Sequence, residues 1–159
     1  LTEMDGMESK DQQILLLAAT NEPWAIDPAL RREGRFGTTL FIPPPDMESR
    51  KSIIEIQMRK RPTEDLDYEK LARMTHNFSG ADLKSLCETA TEVVLKESLM
   101  TGKRRAITMA DMERAVGKTH SVLGQWFTKA RDQVRRRRLE GSFPELFNTG
   151  NTDTLTLSS

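Results

Sequence analysis

The chain has 159 residues, enough for one or two small domains with hydrophobic cores of their own. Its 24 lysine and arginine residues balance 24 aspartate and glutamate residues, so the overall charge does not favour a nucleic acid or a membrane surface as partner. A single cysteine cannot form an internal disulfide, which agrees with a cytoplasmic location. No apolar run reaches the roughly 18 residues that a membrane-spanning helix requires.

Side chains that could bind a transition metal are few. The chain has two histidines and one cysteine, and His76 and His120 lack the spacing of a metal site. We therefore expect no metal bound by this chain. Cys87 shares a helical face with Leu83, Leu86 and Ala90, a pattern that predicts a small buried side chain rather than a reactive thiol.

The first part of the chain has the pattern of an α/β domain. Residues 14–17 form a continuous apolar run, typical of a strand buried on both faces of a parallel sheet, and residues 38–42 form a second candidate strand. Between them, Asp27 and Pro28 predict a short helical turn over residues 26–30, with Asp as the cap and Pro at the first helical position. The three prolines at residues 43–45 end this region.

After the prolines the apolar residues recur with the period of a helix. The pattern predicts helices over residues 47–58, 67–75, 79–100 and 108–116. The apolar members of the first helix are Ile53, Ile54 and Ile56, and on the second helix Leu71 and Met74 are expected to face inward. Four short helices with compact connections predict a small all-α domain.

The last part of the chain begins with an amphipathic helix. Its apolar stripe consists of Leu123, Trp126, Phe127, Ala130 and Val134. This stripe can pack on the rest of the chain or can serve as a docking surface for a partner. Residues 143–147 have the composition of a further packed segment, and residues 148–159, rich in Ser, Thr, Asn and Gly, indicate a disordered tail.

The strongest run of charge lies at the end of this helix. Residues 135–138 are four consecutive arginines, with Lys129 and Arg131 upstream. Such a basic face can attract phosphates or acidic partners, or it can be a solvated helix end that is favoured by the helix dipole. No nucleic-acid-binding motif accompanies it.

One stretch of the first part carries a family resemblance. Residues 18–23 read Ala-Ala-Thr-Asn-Glu-Pro, and residues 26–36 read Ile-Asp-Pro-Ala-Leu-Arg-Arg-Glu-Gly-Arg-Phe. This stretch resembles the second region of homology of the classical AAA ATPases, which runs from the sensor 1 strand to the arginine fingers. The resemblance implies an α/β remnant of a parallel-sheet P-loop NTPase core in residues 1–44. An all-α four-helix lid would follow in residues 45–118 and a C-terminal helical extension in residues 119–147.

The resemblance also assigns catalytic roles. Asn21 matches sensor 1, whose amide can accept a hydrogen bond from the attacking water and donate one to a γ-phosphate oxygen. Arg32 and Arg35 match the two fingers, whose planar guanidinium groups stabilise the charge of the transferring phosphoryl group and are typically worth about 10³ to 10⁵ in rate. Glu33 and Gly37 depart from the family pattern, since many members have Pro and Asp there.

A second motif resembles the part of the AAA lid that meets the adenine and the ribose. Ser79 is followed by Gly80 and Ala81 at a predicted helix start, where a glycine lets the backbone approach a ligand closely. The same residues also form a plain capping motif. Gln57 aligns approximately with a histidine that many members place over the ribose. We therefore predict that Gly80, Ala81 and Gln57 contact the nucleotide.

The sequence contains no G-x-x-x-x-G-K-[ST] loop and no hydrophobic strand that ends in paired acids. We therefore expect the isolated chain not to hydrolyse ATP and not to supply the ligands of Mg²⁺. The resemblance implies an ATPase that uses ATP and Mg²⁺ and works as a homo-oligomeric, hexameric ring. Its substrate would be a macromolecule, a protein rather than a nucleic acid, that is remodelled or unfolded. The alternative is a non-catalytic regulatory or interaction module that supplies arginines or a docking helix to a competent partner.

Overall fold

The computed structural model describes residues 15–32 and 35–148. These residues form two compact units. The first unit contains the described residues up to Ile42 together with Ala130–Phe147, and the second contains Pro43–Lys129 and Asn148. The tail predicted from residue 148 lies outside the described residues beyond Asn148 itself.

The two predicted strands are not present in the described residues. Residues 15–20 and 37–42 have no regular secondary structure, and Ile14, where the first strand was expected to begin, lies outside the described ranges. Leu15 and Leu17 are 82% and 86% exposed. A strand is stabilised by hydrogen bonds to a neighbouring strand and by burial of its faces, and these leucines have neither in the described structure. An apolar run alone therefore does not produce the sheet.

The turn predicted between the two apolar runs is present as a 3-10 helix, Pro28–Arg31. Asp27 caps it, because its carboxylate accepts a hydrogen bond from the backbone N–H of Ala29 at 2.8 Å. A second 3-10 turn, Pro23–Ala25, precedes it and contains the buried Trp24. Proline at the first helical position fixes the backbone angle φ in both turns.

The second unit contains the four predicted helices: α1 (Met47–Met58), α2 (Tyr68–Met74), α3 (Gly80–Thr101) and α4 (Met109–Lys118). Asp46 caps α1, and the Asp67 carboxylate accepts from the Lys70 N–H at the start of α2. Ser79 begins α3 through a reciprocal capping box with Asp82. The prediction of a small helical domain is confirmed, with helix ends that shift by one or two residues.

The core of this unit lies where α1 packs on α2 and α3, and where α3 packs on α4. Ile54, Leu71, Leu83 and Leu86 are fully buried. On α1, the apolar residue Ile56 is 59% exposed. The prediction that Met74 faces inward on α2 was wrong, because Met74 is 39% exposed. Ile56 follows Ile54 by two positions, which is about 200° around a helix, so both cannot face the same core. Met74 lies at the last residue of a short helix, where the core ends.

A cluster of ion pairs around the buried Asp111 joins the end of α3 to the start of α4. Arg105 donates two hydrogen bonds to the Asp111 carboxylate, at 2.6 and 3.0 Å, and also binds Glu97. Arg114 reaches the same carboxylate at 2.5 Å, and the backbone N–H of Thr108 donates to it at 2.9 Å. Asp111 is 2% exposed. The pairing with Arg105 lowers the pKa of Asp111 well below its usual range.

The chain continues into α5 (Leu123–Arg136), a 3-10 turn (Glu140–Ser142) and α6 (Glu145–Asn148). On α5, Ala130 and Val134 are fully buried, which favours the packing interpretation for this part of the apolar stripe. Phe143 and Leu146 are buried as well, so the predicted packed segment is present. Across the described residues, no helix combines the length and apolarity needed to cross a membrane.

Candidate functional site

Asn21 lies at an exposed bend immediately before the turn Pro23–Ala25. The bend is held by its neighbours: the Glu22 N–H donates to the Thr20 hydroxyl at 3.0 Å, and the Ala25 N–H donates to the Glu22 carbonyl at 2.9 Å. These local bonds fix the backbone on the C-terminal side of Asn21. Its amide group thus stands on a defined turn and at the protein surface.

The two predicted finger arginines have different surroundings. Arg32 directly follows the 3-10 turn Pro28–Arg31, has extended backbone angles and is exposed. Arg35 is half-buried, and its Nη1 donates to the carbonyl oxygen of Ala29 at 2.8 Å. The Phe36 N–H also returns to the Leu30 carbonyl at 3.0 Å. Arg35 therefore helps to close the loop after the turn, whereas Arg32 presents its guanidinium group to solvent.

Arg31, the arginine before the fingers, is engaged inside the first unit. Its guanidinium carbon lies 5.9 Å from the ring centre of Phe143, a cation–π distance. Among the described residues its Nε is buried without a hydrogen-bond partner. The side chain of Arg31 thus points towards the C-terminal segment, in contrast to the exposed side chain of Arg32.

Gly80 and Ala81 form the exposed start of α3. The capping box holds this start rigid, since the Ser79 N–H donates to Asp82 Oδ2 at 2.8 Å and the Asp82 N–H donates to Ser79 Oγ at 3.1 Å. A Cβ added at Gly80 would meet no atom within 4 Å. Packing within the described chain does not require a glycine here, and the backbone is open to a ligand.

Gln57 is half-buried in the last turn of α1, beside the fully buried Met58. No hydrogen bond between described residues links Gln57 to Gly80 or Ala81. The three predicted nucleotide contacts all belong to the second unit, and Asn21, Arg32 and Arg35 all belong to the first. The catalytic and nucleotide-contact roles of these residues therefore stay predictions.

Comparison with known proteins gives two family matches along the chain. Residues 1–44 match the family described as ATPase family associated with various cellular activities (AAA), and residues 65–114 match the AAA+ lid domain. The first match contains Asn21, Arg32 and Arg35, and the second contains Gly80 and Ala81. The chain belongs to the AAA ATPase family.

Curated AAA relatives align with most of this chain but are much longer. The cell division cycle protein 48 homolog of Archaeoglobus fulgidus is 48% identical over 111 residues, which are 69% of this chain and 14% of that protein. The cell division control protein 48 homolog B of Arabidopsis thaliana is 47% identical, over 62% of this chain and 16% of its own length. The ATP-dependent zinc metalloprotease FtsH of Thermotoga maritima is 44% identical, over 73% of this chain and 18% of its own length.

A solved structure supports the same assignment. A chain from work on the structural basis for katanin self-assembly superposes with a TM-score of 0.56 at 33% identity, covering 65% of this chain and 43% of that chain. The similarity extends to the three-dimensional arrangement as well as to the sequence. As in the curated alignments, the present chain corresponds to less than half of its relative.

The described residues can be compared with what a bound nucleotide and a bound metal ion would need. The exposed guanidinium of Arg32 and the open backbone at Gly80 offer the donors and the space that phosphate and adenine groups need. In the described ranges, no group of three or more His, Cys, Asp or Glu side chains could hold a metal ion. The described residues therefore offer donors and space for contacts to a nucleotide.

Sequence reasoning missed the partners of the C-terminal arginines. Arg137 donates to the Trp24 carbonyl at 2.9 Å, and Arg131 Nε donates to the Leu146 carbonyl at 2.7 Å. Arg135 lies 5.4 Å from the ring centre of Phe147. Part of the basic run is thus used within the chain. The run itself was a visible signal, but neither its charge nor its spacing identifies a backbone carbonyl 113 positions away.

Proposed function

We propose that this chain carries the sensor, finger and lid parts of an ATPase that works as a ring and couples ATP hydrolysis to the remodelling or unfolding of macromolecules. The observation that carries the proposal is the position of Asn21, Arg32 and Arg35 inside the region that matches the AAA family. The half of the site that holds the phosphates would come from a phosphate-binding loop that this sequence does not contain. The isolated chain should accordingly be inactive.

In this proposal Asn21 and the two arginines act on different nucleotides. Asn21 would orient the attacking water of the nucleotide bound by its own subunit. Arg32 and Arg35 would stabilise the phosphoryl group held by a neighbouring subunit. The exposure of Arg32 suits such a contact. Arg35 donates one N–H to the Ala29 carbonyl, which holds its side chain beside the turn that precedes Arg32.

The proposed ring is a hexamer of one kind of subunit, located in the cytoplasm, with ATP and Mg²⁺ as cofactors and a protein as substrate. Gly80, Ala81 and Gln57 would contact the adenine and the ribose. The name of the solved katanin relative refers to self-assembly, which agrees with an oligomer here. The balanced charge of the chain gives no reason to propose a nucleic acid as substrate.

The test is a subunit-mixing experiment in a protein that joins this chain to a phosphate-binding loop and magnesium-binding acids. Arg32→Ala or Arg35→Ala subunits should bind ATP normally but lower kcat by about 10³-fold or more. Mixed with subunits whose magnesium-binding acids are disabled, they should regain part of the activity, because some interfaces then combine intact fingers with an intact metal site.

Asn21→Ala subunits are the matched control for this mixture. Their defect and the loss of the magnesium-binding acids both damage the nucleotide site of the subunit that carries them, so no interface in the mixture is complete. We expect no recovery for Asn21→Ala at any mixing ratio. Recovery with Asn21→Ala, or dead mixtures with assembled Arg32→Ala rings, would contradict the assigned roles.

The exposure of Arg32 also suits the second hypothesis, a non-catalytic module that supplies arginines to a competent partner. It makes a separate prediction. The chain added alone to an Arg32→Ala ring should then restore hydrolysis without being joined to any other segment. If only the joined protein restores activity, the ATPase-subunit proposal stands.

A further inference from the structure

The carbonyl group of Trp24 is held by a residue from the far end of the chain. Arg137 Nη1 donates to this oxygen at 2.9 Å across 113 sequence positions. Trp24 is only 3% exposed and lies in the 3-10 turn Pro23–Ala25, just after Asn21. A charge-assisted hydrogen bond from a planar guanidinium fixes both the distance and the direction of the backbone it binds.

A second contact from the C-terminal segment reaches the next turn. Phe143, which is 7% exposed, lies under the guanidinium group of Arg31 at 5.9 Å. Arg31 is the last residue of the turn Pro28–Arg31, and the predicted finger Arg32 follows it directly. The backbone at Arg31 sets where the side chain of Arg32 begins. The two contacts thus hold both 3-10 turns that lie between the predicted sensor Asn21 and the predicted finger Arg32.

The C-terminal segment (Ala130–Phe147) is itself tied together, so these contacts come from one ordered body. Arg131 Nε donates to the Leu146 carbonyl at 2.7 Å, and Arg135 lies 5.4 Å from the ring centre of Phe147. The Leu139 N–H returns to the Val134 carbonyl at 3.0 Å. Arg131 and Arg135 therefore make contacts within the segment, whereas Arg137 contacts Trp24 outside it.

We propose that the C-terminal segment is a positioning clamp for the finger arginines, in which Arg137 fixes the turn at Trp24 and Phe143 fixes Arg31, so that Arg32 meets the neighbouring nucleotide in productive geometry. The inference rests on the proposed function. Arg137 and Phe143 are positioning residues, because they act through the turns and touch no substrate. Displacements on the order of 1 Å at a catalytic group can cost about 10²-fold in rate, so such support has measurable consequences.

The first test compares two neighbouring arginines in the ring protein used above. Arg137→Met removes the bond to the Trp24 carbonyl and keeps much of the side-chain length, and Arg136→Met is its control, since Arg136 is exposed on the same helix end. We expect Arg137→Met to lower kcat by about tenfold without changing the dissociation constant for ATP. Arg136→Met should stay within about twofold, and Arg137→Lys, which keeps a donor, should recover part of the loss.

The second readout separates positioning from general damage to the subunit. Arg137→Met subunits mixed with subunits lacking the magnesium-binding acids should regain activity, as Arg32→Ala subunits do, because their own nucleotide sites are intact. Arg137→Met could lower the melting temperature so far that rings do not form. In that case the comparison of Phe143→Leu with Phe143→Tyr replaces it. The tyrosine keeps the ring face under Arg31 and should keep kcat, while the leucine should lower it and be rescued by mixing.

The outcomes distinguish the clamp from the proposed function. Suppose that Arg32→Ala lowers kcat, but that Arg137→Met has the same kcat as Arg136→Met and Phe143→Leu the same kcat as Phe143→Tyr. The clamp is then overturned, and the finger assignment stands. A kcat loss in Arg137→Met that no mixture restores also overturns the clamp, since the damage then lies in the subunit's own site. If Arg32→Ala is itself fully active, both proposals fall.

Discussion

At the scale of single residues, Asp111 shows how a buried charge is stabilised by ion pairs and hydrogen bonds. Its side chain is 1% exposed and is bound by Arg105 and Arg114 as well as by the backbone of Thr108. Removal of one member of a buried pair costs far more than loss of a surface pair, because the remaining groups lose their partner away from water. This carboxylate therefore connects α3 and α4 through charge, next to the apolar core.

We predict that Asp111→Asn lowers the free energy of unfolding by about 1.5 to 3 kcal/mol, the range for hydrogen bonds to charged groups. The matched control is Glu69→Gln, which breaks the surface pair with Arg73, whose two side chains are 54% and 57% exposed. That change should cost no more than about 0.5 kcal/mol. Urea unfolding at neutral pH measures both values, and equal costs would contradict the role of Asp111.

The pH dependence of the Asp111 contribution follows from the direction of its pKa shift. The pKa is lowered in the folded state, chiefly by Arg105, whereas an unfolded Asp titrates near about 3.9. The stability from this group is thus complete above about pH 5, and it is lost as the pH falls below about 4 towards the folded pKa. The difference in free energy of unfolding between the unmodified protein and Asp111→Asn should become smaller over that pH range in urea titrations. A difference that became larger would contradict the predicted pH dependence.

At the scale of elements, α1 shows that a helix has one buried face even when three isoleucines lie close together. Ile54 is fully buried, and Ile56 is 59% exposed. We predict that Ile54→Ala costs about 2 to 5 kcal/mol through lost burial and a residual cavity. Ile56→Ala should lie within about 0.5 kcal/mol of zero, because it loses little burial and gains helix propensity. Denaturation midpoints of the two variants provide the comparison.

At the scale of the whole molecule, Cys87 reports on unfolding of the helical domain. It is 0% exposed in the core between the helices, and burial raises the pKa of its thiol to about 11. We predict that a thiol reagent at pH 8 modifies native Cys87 at least about 100-fold more slowly than it modifies the chain in 6 M guanidinium chloride. Ile54→Ala should accelerate the native reaction. Rapid labelling of the native protein would show that the core opens locally.

Local patterns in the sequence were enough to predict the helical domain and to select the candidate site residues. The caps Asp46, Asp67 and Ser79 mark helix starts through local hydrogen bonds, and helical periodicity depends on near neighbours only, so both can be read from the chain. The family pattern around Asn21, Arg32 and Arg35 could also be recognised in the sequence, because those residues lie within one short stretch. These features require no knowledge of distant contacts.

Which apolar runs are buried and where the C-terminal arginines bind depend on tertiary contacts. A strand depends on partners outside its own segment, so the apolar residues 15–17 could not be judged by composition alone. Met74 is the last residue of a short helix, and its exposure depended on where the core of the helical domain ends. The hydrogen bond from Arg137 to the Trp24 carbonyl joins residues 113 positions apart. Its acceptor is a backbone oxygen, which every residue has, so the sequence does not mark it. Folding alone creates that contact, because no local pattern encodes it.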